Sequence, residues 1–172
     1  MESTVATETT IPEGSMADEQ QYLTFIMSGE EYGVDILAVQ EIRGWEEPTS
    51  IPNAPVYIRG VINLRGTIVP IMDLRMRFGL RKVEYTATTV VIILKFDGEH
   101  GERVMGIVVD AVSDVYTIAD GSTRKPPELT EDDNSDFIKG LVNVNEKMVI
   151  LLDVEELLSI KHQILNVAGS VE

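Results

Sequence analysis

YIRGVINLRGTIVPIMDLRMR, Tyr57–Arg77, returns eighty residues later as FIKGLVNVNEKMVILLDVEEL, Phe137–Leu157. Laid over each other without a gap, the two phrases align Ile58 with Ile138, Gly60 with Gly140, Asn63 with Asn143, Val69 with Val149 and Asp73 with Asp153. A second pair, YGVDILAVQEI (Tyr32–Ile42) and MGIVVDAVSDV (Met105–Val115), aligns on Gly33 and Gly106 at an offset of 73. The seven-residue difference falls in a longer second-half loop, ADGSTRKPPELTEDDNSDF. The ordered chain is therefore two copies of one unit, roughly residues 22–82 and 88–158.

Within a copy the pattern is strand. YLTFIM (Tyr22–Met27), the turn-prone SGEE and YGVDI (Tyr32–Ile36) have the alternation and turn of a β-hairpin. TTVVIILKF (Thr88–Phe96), DGEHGE and RVMGIVV (Arg103–Val109) repeat the plan. Each copy reads as about five short strands, an all-β pattern that fits a small closed or nearly closed barrel with few exposed edges. A sandwich in which each half supplies one sheet is the alternative. The runs VVIIL and GIVV read as strands buried on both faces, as at a junction between two barrels.

The end of the chain differs. DVEELLSIKHQILNVA places Val154, Leu157, Leu158, Ile160, Ile164 and Leu165 at helical spacing, and Asp153 and Glu156 have the spacing of a capping box. An amphipathic C-terminal helix over about residues 153–167 is expected. Asp73 is expected to cap a shorter helical turn, LRMRF, that stops at Gly79. Residues 1–20, rich in Thr, Glu and Ser without apolar periodicity, are expected to form a disordered acidic tail ahead of a domain spanning 21–168.

At 172 residues, 44% hydrophobic, the chain suits one domain or two small ones sharing a core. No apolar run approaches the roughly 20 residues of a membrane span, and no basic region followed by an apolar segment opens the chain. The absence of cysteine rules out disulfides and thiolate metal sites and fits a cytoplasmic location. A net charge of −15 argues against a nucleic-acid partner. The charge is uneven: residues 56–82 hold six bases (Arg59, Arg65, Arg75, Arg77, Arg81, Lys82) and one acid, Asp73. Such an island is either a docking surface for an acidic protein or a solvated basic face.

Reactive constellations are missing from the sequence. His100 sits in a hairpin turn and His162 on the predicted helix, neither beside a nucleophile. DDNSD, through Asp132, Asn134 and Asp136, has the flavour of a calcium loop but carries Phe137 where the loop needs Gly and Asn143 where it needs Glu. Asp73 and Asp153, the repeated acids, are explained by capping. Neither enzymatic activity nor a metal or other cofactor is expected. What the repeat leaves over is Arg65-Gly66 in NLRG, which becomes Asn145-Glu146 in the second copy, together with the basic island and Trp45 in IRGWEEP, which looks exposed.

EEYGVDILAVQEIRG (Glu30–Gly44), IRGVINLRGTIVPIMDLR (Ile58–Arg75) and VMGIVVDAVSDV (Val104–Val115) closely resemble the CheW family of bacterial chemotaxis coupling proteins. The resemblance runs from about Gln20 to Leu165, excludes the tail and is poor over 119–136. It implies two intertwined five-stranded SH3-like β-barrels plus the C-terminal helix, and a protein that is not an enzyme. Such a protein is an adaptor bridging the cytoplasmic tips of methyl-accepting chemoreceptors to the regulatory domain of a CheA-type histidine kinase, alternating with that domain in rings. It is cytoplasmic, recruited to receptor arrays at the inner face of the membrane without inserting into it.

The alternative is a coupling protein of the same kind in a non-flagellar chemosensory pathway, such as surface motility. Carried over residue by residue, the receptor groove comprises Val39, Glu41, Gly60, Arg65, Val112 and Val115, and the kinase-facing surface Arg43, Trp45 and Arg59. Apolar Val39, Val112 and Val115 would floor a groove for a helix, and Arg65 would bond a carboxylate or helix carbonyl at its rim.

Overall fold

The computed structural model of the chain describes residues 19–80, 83–98, 101–126 and 137–158. Most of the expected tail, both histidines, the DDNSD segment and the expected helix beyond Leu158 lie outside the described residues. The first copy supplies β1 (Glu19–Met27), β2 (Glu30–Asp35), β3 (Val39–Gly44), β4 (Ile58–Leu64) and β5 (Thr67–Asp73). The second supplies β6 (Val90–Gly98), β7 (Gly101–Val109), β8 (Ala111–Ala119), β9 (Ile138–Val144) and β10 (Lys147–Leu152). Two short helices, α1 (Leu74–Arg77) and α2 (Val154–Leu158), follow β5 and β10. Glu19 and Gln20, expected in the tail, are strand residues, because β8 runs far enough to pair them with Ala119 and Ile118.

The copies do not fold separately. One sheet has the order β8-β1-β2-β10-β9 and the other β3-β6-β7-β5-β4. Renaming each strand by its repeat counterpart (β1 as β6, β2 as β7, and so on) turns the first order into the second. Each sheet thus joins the opening hairpin of one copy to the last three strands of the other, which excludes the sandwich with one sheet per half. The seams are the parallel pairings β2–β10 and β5–β7; the other ladders are antiparallel.

One further bridge serves each sheet. Thr49, beyond β3, exchanges two backbone hydrogen bonds of 3.0 and 2.9 Å with Val61 on β4, and Arg124, beyond β8, exchanges bonds of 2.8 and 2.7 Å with Leu141 on β9. The ladders describe five-stranded sheets; they do not by themselves make the barrels that the resemblance implies.

The apolar side chains form three cores. The central one lies between the sheets and holds Leu23, Phe25, Val34, Met72, Ile92, Leu94, Ile107 and Val109 among others. Val91, Ile93 and Val108 point the other way, into a core with Leu64, Val69 and Ile71. Tyr22, Ile118, Val142, Val149 and Leu151 form the third, on the far face of the first sheet. Successive residues of β6 and β7 therefore enter different cores, as period-two side-chain alternation requires of a strand buried on both faces.

The duplicated phrases form β4–β5 and β9–β10, each closed by a two-residue turn with both φ angles positive: Arg65 at 52° and Gly66 at 92°, Asn145 at 53° and Glu146 at 68°. That is the turn whose twist matches its strands. The Asn63 side chain accepts from the Gly66 N–H at 2.8 Å. Asp73 caps α1 by accepting from the Arg75 N–H at 3.0 Å, Gly79 follows the helix at φ 78°, and Asp153 accepts from the Glu156 N–H at 3.1 Å.

Candidate protein interface

Strand β3 carries much of the candidate surface. A bulge between Val39 and Glu41 shifts its register on β6, and Glu41, Arg43 and Trp45 then follow along one half-buried side. The Glu41 carboxylate is shared by two guanidinium groups. Arg65, from the β4–β5 turn, reaches Oε1 at 2.5 Å, and Arg43 reaches Oε2 at 3.2 Å. The ion pair to Arg65 crosses between β3 and the β4–β5 hairpin, the two ends of the second sheet.

Hydrogen bonds from Arg65 and then Arg43 hold the Glu41 carboxyl below its ordinary value of 4.5. A depressed carboxyl stabilises the ion pair above the ordinary value and loses that effect as pH falls through the lowered one. Substituting Arg65→Asn is therefore expected to move the Glu41 titration midpoint, read from its carboxyl carbon by NMR, back up toward 4.5. An unmoved midpoint would discard Arg65 as the cause.

Trp45 is half-buried rather than exposed, because its indole stacks on Tyr85 with ring centroids 4.1 Å apart and planes 18° apart. The Arg59 guanidinium lies 5.8 Å from the same Tyr85 ring, and that of Arg75 lies 5.0 Å from it. Burial, and then the hydrogen bond to Asp73, push the Tyr85 phenol up to about 12. The structure thus gathers Trp45 and Arg59 around a residue that sequence reasoning missed, since KVEYTATT carries no periodic signal.

Val39 and Val112, repeat counterparts, are both half-buried against the central core. Val115 is exposed, but on β8 of the first sheet, whereas Arg65 belongs to the second. Gly60 is buried beneath the Thr49 bridge, where it has φ 142° and no room for a side chain.

Exposed apolar residues also fall in two matched pairs, of which only Val115 was among the expected site residues. Ile42 and Val115, counterparts at the offset of 73, are each 43% exposed. Ile68 and Met148, counterparts at the offset of 80, are 60% and 50% exposed at the starts of β5 and β10. The duplicated phrase itself held the signal: an apolar side chain beside the same turn in both copies.

The basic island is not one cationic face. Arg75 is buried, Arg65 is paired, and Arg59 and Arg77 lie against aromatic rings; Arg81 and Lys82 are outside the described residues. Among the described residues no group of three or more His, Asp or Glu is placed to hold a metal ion, and no helix is long and apolar enough to cross a membrane. The arrangement offers surfaces for protein contact: two related halves, each with exposed apolar residues, and one arginine held at a hairpin tip.

Comparison with known proteins agrees with that geometry. The family described as CheW-like domain matches residues 21–162. The chemotaxis protein CheW of Klebsiella aerogenes is 48% identical over 153 residues, 88% of this chain and 90% of its own. That of Bacillus subtilis is 31% identical over 139 residues, 81% of this chain and 86% of its own. The crystal structure of the scaffolding protein TtCheW from Thermoanaerobacter tengcongensis is 35% identical and aligns with a TM-score of 0.69, covering 77% of this chain and 88% of that one.

Proposed function

The chain belongs to the CheW-like family, a family of chemotaxis coupling scaffolds, and from that premise we propose that it bridges the cytoplasmic tips of methyl-accepting chemoreceptors to a CheA-type histidine kinase. The observation that carries the receptor side is Arg65. The same turn recurs in the second copy with Asn145 at φ 53°, but only the first copy places a guanidinium there. The turn presents the guanidinium outward and Glu41 orients it, leaving donors for a partner's carboxylate or helix carbonyl. Val39, Val112 and Val115 would contribute apolar contact from the other strands, and Gly60 would act by keeping β4 in place.

On the kinase side, Trp45 and Arg59 gather on Tyr85 while Arg43, on the same side of β3, is paired with Glu41, and the matched pair Ile68 and Met148 supports pairing through both halves. In this reading one domain, running on to about residue 168, makes modest contacts at several surfaces. Holding them simultaneously raises effective concentration and recruits the chain to an array at the membrane. The work done is scaffolding and transmission of conformational state, without bond chemistry.

Capture of a receptor cytoplasmic fragment, with and without kinase, tests the assignment. Arg65→Glu reverses the charge; Arg65→Asn installs the residue that occupies the same turn in the second copy. Both are expected to lower receptor affinity about tenfold or more while thermal unfolding stays close to wild type. Wild-type capture by both variants would remove Arg65 from the interface.

A further inference from the structure

Arg75 fills a space that the repeat creates twice. In the first copy its Nε and Nη2 bond both oxygens of Asp73 at 2.9 Å, and Nη1 bonds Asp110 Oδ1 at 2.8 Å. Asp110 in turn accepts from the Ser28 N–H at 2.9 Å. The same correspondence places Asp153 for Asp73, Glu155 for Arg75 and Leu37 for Asp110. Hairpin register adds Asp97 for Ser28, because Gly33 faces Thr24 while Gly106 faces Ile93.

These four substitutes line a single cleft of about 380 Å3, together with Phe96 and Glu102. Where the first copy has a cation it now has an anion, and where it has Asp110 it now has Leu37, 79% exposed. The site that is self-satisfied in one half is complementary to a cation in the other.

We propose that this cleft is a socket for an arginine side chain presented by a protein partner. Asp153 accepts the fork of the guanidinium as Asp73 accepts that of Arg75. The apolar stem lies along Leu37 and Phe96, and Glu155, Asp97 and Glu102 supply the remaining acceptors. The first copy fixes the choice of arginine, since a planar two-pronged donor fits a carboxylate in a way an ammonium does not. The lining carries five carboxylates against two lysines. Of those lysines, Lys139 is already engaged, its Nζ 3.1 Å from Gln20 Oε1 and 5.2 Å from the centroid of the Tyr22 ring; Lys95 competes for the site and sets a modest affinity. The socket is separate from Arg65 and does not depend on the receptor assignment.

Titration of the full chain with N-acetyl-arginine amide, followed by NMR, tests it. Saturable shifts are expected at Leu37, Asp97 and residues 153–155. The uncharged isostere N-acetylcitrulline amide is expected to produce none, and N-acetyl-lysine amide to bind several-fold more weakly. The double variant Leu37→Asp, Glu155→Arg installs the first-copy arrangement within the chain and is expected to weaken the probe about tenfold or more. Asp153→Asn, which keeps the helix cap, is expected to do the same. An equal response to the citrulline probe, shifts confined to other surfaces, no saturable response, or undiminished binding by either natively folded variant would overturn the proposal.

Discussion

Replacing Arg75 with alanine is expected to destabilise the chain by about 3–5 kcal/mol, the loss typical when one member of a buried ion pair is removed. The side chain is 2% exposed, and four of its five N–H donors are engaged: two to Asp73, one to Asp110 and one to the Glu84 carbonyl at 2.8 Å. Removal strands Asp73, which is fully buried and retains the Tyr85 hydroxyl at 2.6 Å and the backbone N–H at residue 75. The network also ties elements distant in sequence: α1, the linker at Glu84–Tyr85, the corner after β7 and the β1–β2 turn. Its loss loosens the join between copies as well as one contact. Lysine is not expected to rescue, because one ammonium cannot reproduce the fork to Asp73 while reaching Asp110. Urea unfolding measures the effect, with Glu155→Ala, the exposed counterpart, as a control expected within about 0.5 kcal/mol of wild type. A loss below about 1 kcal/mol for Arg75→Ala would show that the network is not the joint described.

Gly60→Ala is expected to cost about 2–4 kcal/mol, for a backbone reason. At φ 142° an L side chain is strained whatever the space, and a Cβ there runs into the carbonyl oxygen of Thr49, half of the bridge joining the segment after β3 to β4. The colliding atoms are backbone and cannot rotate away. Two glycines calibrate the effect. Gly29→Ala, at φ 81° with nothing within 4 Å, isolates the conformational term and is expected to cost about 1 kcal/mol. Gly106→Ala meets only side-chain ends, Ile71 Cδ1 and Val91 Cγ1 at 2.8 Å, and is expected to cost about 1–3 kcal/mol as they shift. Chemical denaturation of the three variants should place Gly60→Ala as the most destabilised; if it falls level with Gly29→Ala, the bridge is weaker than its geometry implies. Receptor capture by Gly60→Ala would then decline with folded fraction, unlike that of Arg65→Asn, which separates a residue that builds the surface from one that makes contact.

Much of this was readable in one dimension because the signals are local. The offset of 80 located two hairpins that the structure closes with the same turn, and VVIIL announced a strand buried on both faces. Asp73 and Asp153 read as caps, and cap they do. The capping reading was nevertheless incomplete at Asp73, which also anchors Arg75 and Tyr85; no spacing rule links residues 73, 85 and 110. Trp45 looked exposed because its neighbours are charged, and Tyr85, the ring that covers it, lies forty residues away in an unpatterned segment. Ile68 and Met148 were legible in principle, since an apolar residue in the same exposed place of both copies answers to something other than core packing.

Strand pattern, duplication and turns could be read along the chain, each set by side-chain periodicity or by short-range backbone preference, and the family by the resemblance of its motifs. Which copy's strands pair with which was settled in three dimensions. A period of two fixes the faces of a strand but not its neighbour, since the backbone N–H and C=O groups along its edge are the same whatever the side chains. The choice rests on long-range packing of the central core, and with it came what the repeat could not announce. The two copies of one phrase ended in different surroundings, one sealed by Arg75 and the other, among the described residues, a cleft beside Glu155.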